Sequence, residues 1–82
     1  MRRNDLDICA DILDIAQNGA KKTQLVYRAN LNFDIVKKYI QRLGDTELLT
    51  SDNGYFMTTE KGMRFLQDYR EFVVSFSKNL SE

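Results

Sequence analysis

The last third of the chain restricts its fold more than any other feature. From Thr59 to Leu80 no proline interrupts the pattern, and Phe65, Tyr69, Phe72 and Phe76 recur at gaps of four, three and four residues. Leu66, Val73 and Leu80 run beside them at intervals of seven. This spacing predicts one amphipathic helix, capped by Thr59 before Glu60-Lys61-Gly62 and about 20 residues or ~30 Å long. The chain has 82 residues, room for one small domain with a marginal core, and its other helices are too short to cover such a stripe. Phe65, Leu66 and Tyr69 can complete the domain's own core. Phe72, Val73, Phe76 and Leu80 would project past it, and leaving each in water forgoes roughly 1.5–3 kcal/mol. A partner helix resolves this; fraying after Arg70, or folding back, is the alternative.

The remaining elements follow from periodicity and caps. Asn4 is placed to cap a first helix, Asp5 to Gln17, with Asp5 and Asp7 complementing its dipole. Ile8, Ile12, Ile15 and Ala16 form its stripe, with Leu13 beside them, and Gly19 stops it. Cys9 reads as a small apolar neighbour of that stripe. Thr23 is expected to cap a short helix, Gln24 to Ala29, with Leu25 and Val26 inward. Asn30-Leu31-Asn32 suits a tight corner, and Asn32 caps a third helix from Phe33 to Leu43 or a turn further. Val36, Tyr39, Ile40 and Leu43 share its buried side, while Asp34, Lys38, Gln41 and Arg42 lie opposite, with Lys37 on the border. Tyr27, Phe33 and Tyr39 are expected in the core. Two strands, Leu48 to Asp52 and Tyr55 to Thr58, flank Asn53-Gly54, the strongest two-residue hairpin signal. The fold class is therefore mostly α with a small β-hairpin.

Much chemistry is excluded. The chain has no histidine and one cysteine, so it offers no histidine base, no internal disulfide and no structural zinc site. Gly19, Gly44, Gly54 and Gly62 stand far apart and build no phosphate-cradling loop. No enzymatic activity, cofactor or metal is expected. No apolar run approaches a membrane span, and Met1-Arg2-Arg3 is followed at once by polar Asn4 and Asp5, which is no apolar signal region. A cytoplasmic protein with a reduced thiol is the expectation.

The net charge is zero, yet the charge is segregated. Residues 1–20 set Arg2 and Arg3 against Asp5, Asp7, Asp11 and Asp14. Residues 21–42 carry Lys21, Lys22, Arg28, Lys37, Lys38 and Arg42 against Asp34 alone, a net +5. Residues 43–60 hold only acids. Local field, not total charge, decides what a surface attracts within a Debye length of about 8 Å. Helix, short helix, tight turn, helix, hairpin, helix is the order of a winged helix-turn-helix. In that arrangement the third helix enters a major groove about 12 Å wide. Lys37, Lys38, Gln41 and Arg42 are long and polar enough for base edges. Lys21, Lys22, Thr23 and Arg28, at and beyond a helix start, suit phosphates.

Asn18-Gly19-Ala20-Lys21-Lys22-Thr23-Gln24-Leu25-Val26-Tyr27-Arg28-Ala29-Asn30-Leu31-Asn32-Phe33, then Lys38-Tyr39-Ile40 and Leu43, then Thr59-Glu60-Lys61-Gly62, resembles the archaeal winged-helix family. That family includes the Sulfolobus 10a-type chromatin proteins and small transcriptional regulators. The resemblance implies a DNA-binding homodimer whose final helices pair as an antiparallel coiled coil. By position it lays the major-groove helix on residues 32–43, from Asn32, the phosphate contact on residues 22–24, and the wing, with Asn53 at its tip, on residues 51–55. Two features depart from the family. Gly44 precedes Thr46-Glu47 rather than abutting Leu48-Leu49, so the third helix is expected to end early or differently. The wing tip, Asp52-Asn53-Gly54, is acidic, which weakens its grip on phosphate.

Residues 1–58 are thus expected to form the winged helix-turn-helix. Residues 59–82 would complete the core and dimerise through Phe65, Tyr69, Phe72, Val73, Phe76 and Leu80. The partners would be double-stranded DNA and a second copy of the chain, with no membrane or metal, in a regulatory or minor chromatin role. The competing reading, motivated by zero net charge and the acidic wing, is a protein–protein adaptor that does not bind DNA.

Overall fold

The computed structural model of the protein describes residues 4–80, with the side chains of 78–80 outside the described residues. Helix α1 (Asp5–Ile15) passes into a 3-10 turn (Ala16–Asn18), then strand β1 (Ala20–Lys21), α2 (Lys22–Ala29), α3 (Phe33–Asp45), β2 (Leu49–Asp52), β3 (Tyr55–Thr58) and α4 (Glu60–Leu80). The Asn4 side chain accepts from the Asp7 amide at 2.8 Å while Asp7 accepts from the Asn4 amide, a reciprocal capping box. The α-helix ends two residues before the expected Gln17, tightening into the 3-10 turn, and Gly19 closes that turn at a φ of +88°.

Two local expectations need correction. Thr23 is not the cap: α2 starts two residues earlier, at Lys22, and the cap is the Gln24 side chain accepting from the Lys21 amide at 2.8 Å. Residues 20–21 form a third strand, so the wing is a sheet in the order β1-β3-β2, antiparallel throughout, with Lys21 opposite Tyr55 and Asp52 opposite Tyr55 on the far side. Two residues carry too little period to be read as a strand. The third helix ends within a turn of Leu43, at Asp45, and the reversal comes at Glu47, which takes the left-handed φ of +63°. The other corners match their sequence signals. Asn30 is left-handed, Asn32 accepts from the Ile35 amide at 2.8 Å, and Asn53 and Gly54 both take the positive φ of a type I′ turn.

Ile12, Leu13, Leu25 and Val36 are fully buried, joined by Ala16, Ala20, Tyr39, Leu43 and Leu49. Three helices and the sheet meet on this cluster, so the buried side of α3 is set against α1 and α2 and its other side faces out. Cys9 packs against the cluster's edge, half-buried, as a small apolar neighbour would. Burial pushes its thiol pKa up, with the Asp5 carboxylate adding to the effect and Arg42 opposing it. Thr59 caps α4 by accepting from the Gly62 amide at 3.0 Å and donates to the Glu47 carbonyl at 2.7 Å. Leu66 is buried, but beyond it Phe72 is 67% exposed and Phe76 55%. The helix therefore leaves the body as one continuous, half-uncovered rod.

At Gly62 α4 lies directly against the backbone of the body. A Cβ there would collide with the Leu48 carbonyl oxygen and sit 2.7 Å from Thr58 Cγ2. Gly→Ala inside a helix ordinarily gains up to about 1 kcal/mol. Gly62→Ala should instead lose roughly 1–3 kcal/mol, because the obstacle is backbone that cannot rotate away. Urea unfolding of the two proteins checks the sign.

Candidate nucleic-acid interface

Helical geometry and burial together define the outer side of α3. Lys37, Lys38, Gln41 and Arg42 are all exposed, and Lys37 and Lys38 enter no ion pair among the described residues. Asp34 lies one turn before Lys38 on the same side, and because the helix runs to Asp45 a second carboxylate closes that side. The outer face is thus mixed, with its cations toward the middle.

Arg42 is less free than its spacing implied. Its guanidinium stands 3.8 Å from the Asp5 carboxylate and 5.5 Å from the Tyr39 ring centre. Its side chain nevertheless stays 52% exposed, and so accessible a pair is worth at most about 1 kcal/mol. Asp5 leans the guanidinium toward α1 without consuming its five donors. Asp5 also accepts from the Tyr39 hydroxyl at 2.5 Å, and that hydrogen bond, with burial second, pushes the Tyr39 pKa up.

The start of α2 adds to the same region. Lys21 Nζ lies 5.4 Å from the centre of the Tyr55 ring, so β1 carries a cation to the wing beside its acidic tip. Lys22 Nζ lies 5.8 Å from the Phe33 ring. Thr23, Gln24, Arg28 and Asn32 are exposed, though the side chains of Gln24 and Asn32 already serve as caps. Asn53 is exposed at the hairpin tip. Among the described residues no cluster of His, Cys, Asp or Glu could hold a metal ion, and no helix is long and apolar enough to cross a membrane.

Two aromatic residues expected in the core are outside it. Tyr27 is 85% exposed and Phe33 52%, whereas Tyr39 is buried as expected. Tyr27 lies across α2 from Leu25 and Ala29, so helical phase alone could have placed it outward. Phe33 flanks the buried side of α3, where spacing is ambiguous.

The residues singled out on α4 divide in two. Phe65 packs against the core, stacked on Tyr69 at 6.4 Å between ring centres, and Tyr69 donates its hydroxyl to Asp7. Arg70 pairs with Asp14. Both first-half aromatics are therefore engaged within the protomer. Phe72 and Phe76, stacked at 6.0 Å, line with Val73, Leu6 and Tyr69 an open apolar groove of about 490 Å³. Leu80, expected to extend this stripe, has its side chain outside the described residues.

A winged helix-turn-helix family profile matches residues 2–75. An uncharacterised protein of Methanocaldococcus jannaschii is 32% identical over 72 residues, which span 87% of this chain but only 34% of that protein. The chain thus covers about a third of that relative's length. The crystal structure of Sso10a-2, a DNA-binding protein from Sulfolobus solfataricus, superposes with a TM-score of 0.82 at 26% identity, covering 96% of this chain and 86% of that one.

The hydrogen bond to Asp7, ahead of burial, pushes the Tyr69 pKa up to about 12. A folded-state pKa raised above the ordinary value of ~10 favours the neutral phenol in the fold. The stability it contributes is complete below pH ~10 and is lost as pH rises toward about 12. Ultraviolet titration should show late-ionising tyrosine, of which the component nearest pH 12 disappears in Tyr69→Phe while the raised Tyr39 remains.

Proposed function

The chain belongs to the winged helix-turn-helix family, and from that membership we propose that it is a DNA-binding homodimer that docks α3 in the major groove. The family and the similarity to Sso10a-2 point to a non-enzymatic protein. The observation that carries the reading is the uncovered outer side of α3, where Lys37, Lys38 and Gln41 stand exposed beside the cationic start of α2. Lys21, Lys22, Thr23 and Arg28 contact phosphates and set the register, helped by Gln24 and Asn32 through the helix starts they cap. Lys37 brackets the groove, and Lys38, Gln41 and Arg42 reach base edges. Asn53 and main-chain amides of the wing touch the backbone lightly, since Asp52 beside them repels phosphate.

Dimerisation through α4 is supported by its distal half. Phe72, Val73 and Phe76 are 67%, 38% and 55% exposed along one side of the helix. Pairing with a second α4, antiparallel as the family resemblance implies, would bury the groove they line and space two α3 helices for two half-sites. The role that follows is a transcriptional regulator or a minor chromatin protein.

A gel-shift titration tests the reading. Micromolar or tighter binding at about 50 mM salt should collapse by about 200 mM. Lys22→Ala should weaken binding to every duplex and lower the salt slope by about one unit, while Gln41→Ala should erode sequence preference by about 1–3 kcal/mol. Equal losses on specific and random duplexes would favour the chromatin role. No shift at any protein concentration would favour the adaptor instead.

Sedimentation tests the dimer. The full chain should run as a dimer at tens of micromolar, and Phe72→Glu with Phe76→Glu should run as a folded monomer. A monomeric wild type refutes the pairing.

A further inference from the structure

Phe33 is a large apolar side chain that the core leaves out. It is 52% exposed, while Tyr39, on the same helix, is 5% exposed. It is not needed to fix how the chain enters α3. The positions that staple a helix start are those just before the cap and four residues into the helix, here Leu31, half-buried, and Val36, fully buried. Phe33 is the first residue of α3, directly after the Asn32 cap. In a helix laid into the major groove, side chains of this first turn are among those that reach base edges. Two cations bracket the ring: Lys22 at 5.8 Å from its centre, and exposed Lys37 one turn along the same flank. An apolar surface is thereby held among groups that draw phosphate. The apolar feature that bases present in the major groove is the C5-methyl of thymine.

We propose that Phe33 reads thymine, its exposed ring at the start of α3 packing on the C5-methyl group in the major groove. The inference rests on the DNA-binding reading above and adds a base preference to it.

Fluorescence anisotropy with the full chain on an alternating A·T duplex, and on the same duplex with deoxyuridine in place of thymidine, removes the methyl group and nothing else. The thymine duplex should bind about fourfold tighter for each methyl covered. Phe33→Gln should bring the ratio to near one with the salt dependence unchanged, and Phe33→Leu should keep most of it. A residue with a purely structural role would weaken both duplexes alike. Should Phe33→Gln fail to fold, the wild type on an alternating G·C duplex with and without 5-methylcytosine supplies the second measurement, and the added methyl should tighten binding by the same factor. Equal wild-type affinity with and without the methyl, or an unchanged ratio in folded Phe33→Gln, overturns the proposal. Binding to neither duplex instead overturns the DNA-binding reading, and this inference with it.

Discussion

The shared burial of Ile12, Leu13, Leu25 and Val36 is the constraint from which the rest of the architecture follows. Each of the first three helices is too short to be stable alone in water, and each contributes only a few apolar residues. None can bury its stripe without the other two. The cost of leaving these side chains exposed, roughly 1.5–3 kcal/mol each, therefore fixes the helices' mutual orientation and not merely their association. Turning α3 so that Val36, Tyr39 and Leu43 are inside presents Lys37, Lys38 and Gln41 outside. The character of the outer face is a consequence of packing on the inner one.

The first turn of α1 refines that arrangement. Asp5 and Asp7 complement the dipole of their own helix, and they also receive ties from two others. Tyr39 and Arg42 of α3 meet Asp5, and Tyr69 of α4 meets Asp7. At the opposite end of α4, Thr59 and Lys61 donate to the carbonyls of Glu47 and Thr46, and Gly62 allows the backbone of Leu48 to approach. The long helix is thus held near both ends of its inner half. Along its outer half the apolar stripe comes into the open, with Phe72 and Phe76 exposed.

Charge follows the same logic. A chain with no net charge can still present a positive region if its carboxylates are turned toward internal partners. Asp5, Asp7 and Asp14 of α1 engage Arg42 and Tyr39, Tyr69, and Arg70. Lys37 and Lys38 on α3 are left without an ion pair among the described residues. Asp34, Asp45 and Asp52 keep the positive region narrow, bounded along α3 and at the wing. A narrow cationic strip confers less non-specific attraction than a broad one.

What the sequence determined by itself was local and periodic. Asn4, Asn32 and Thr59 as caps, the Asn53-Gly54 turn, the buried side of α3 and the unbroken run of α4 were all legible, because caps, left-handed turns and helical phase depend on neighbours within a few residues. Membership of the winged helix-turn-helix family was legible for the same reason, since its order of elements is a linear pattern. Tertiary structure decided what depends on residues far apart in the chain. The two-residue strand β1 exists only because β3 pairs with it. Arg42 leans on Asp5, 37 positions away, and Tyr69 on Asp7, 62 away. Phe33 lies outside, while its neighbours Leu31 and Val36 pack inward. Apolar residues compete for a core of limited volume, and only packing records which of them lose.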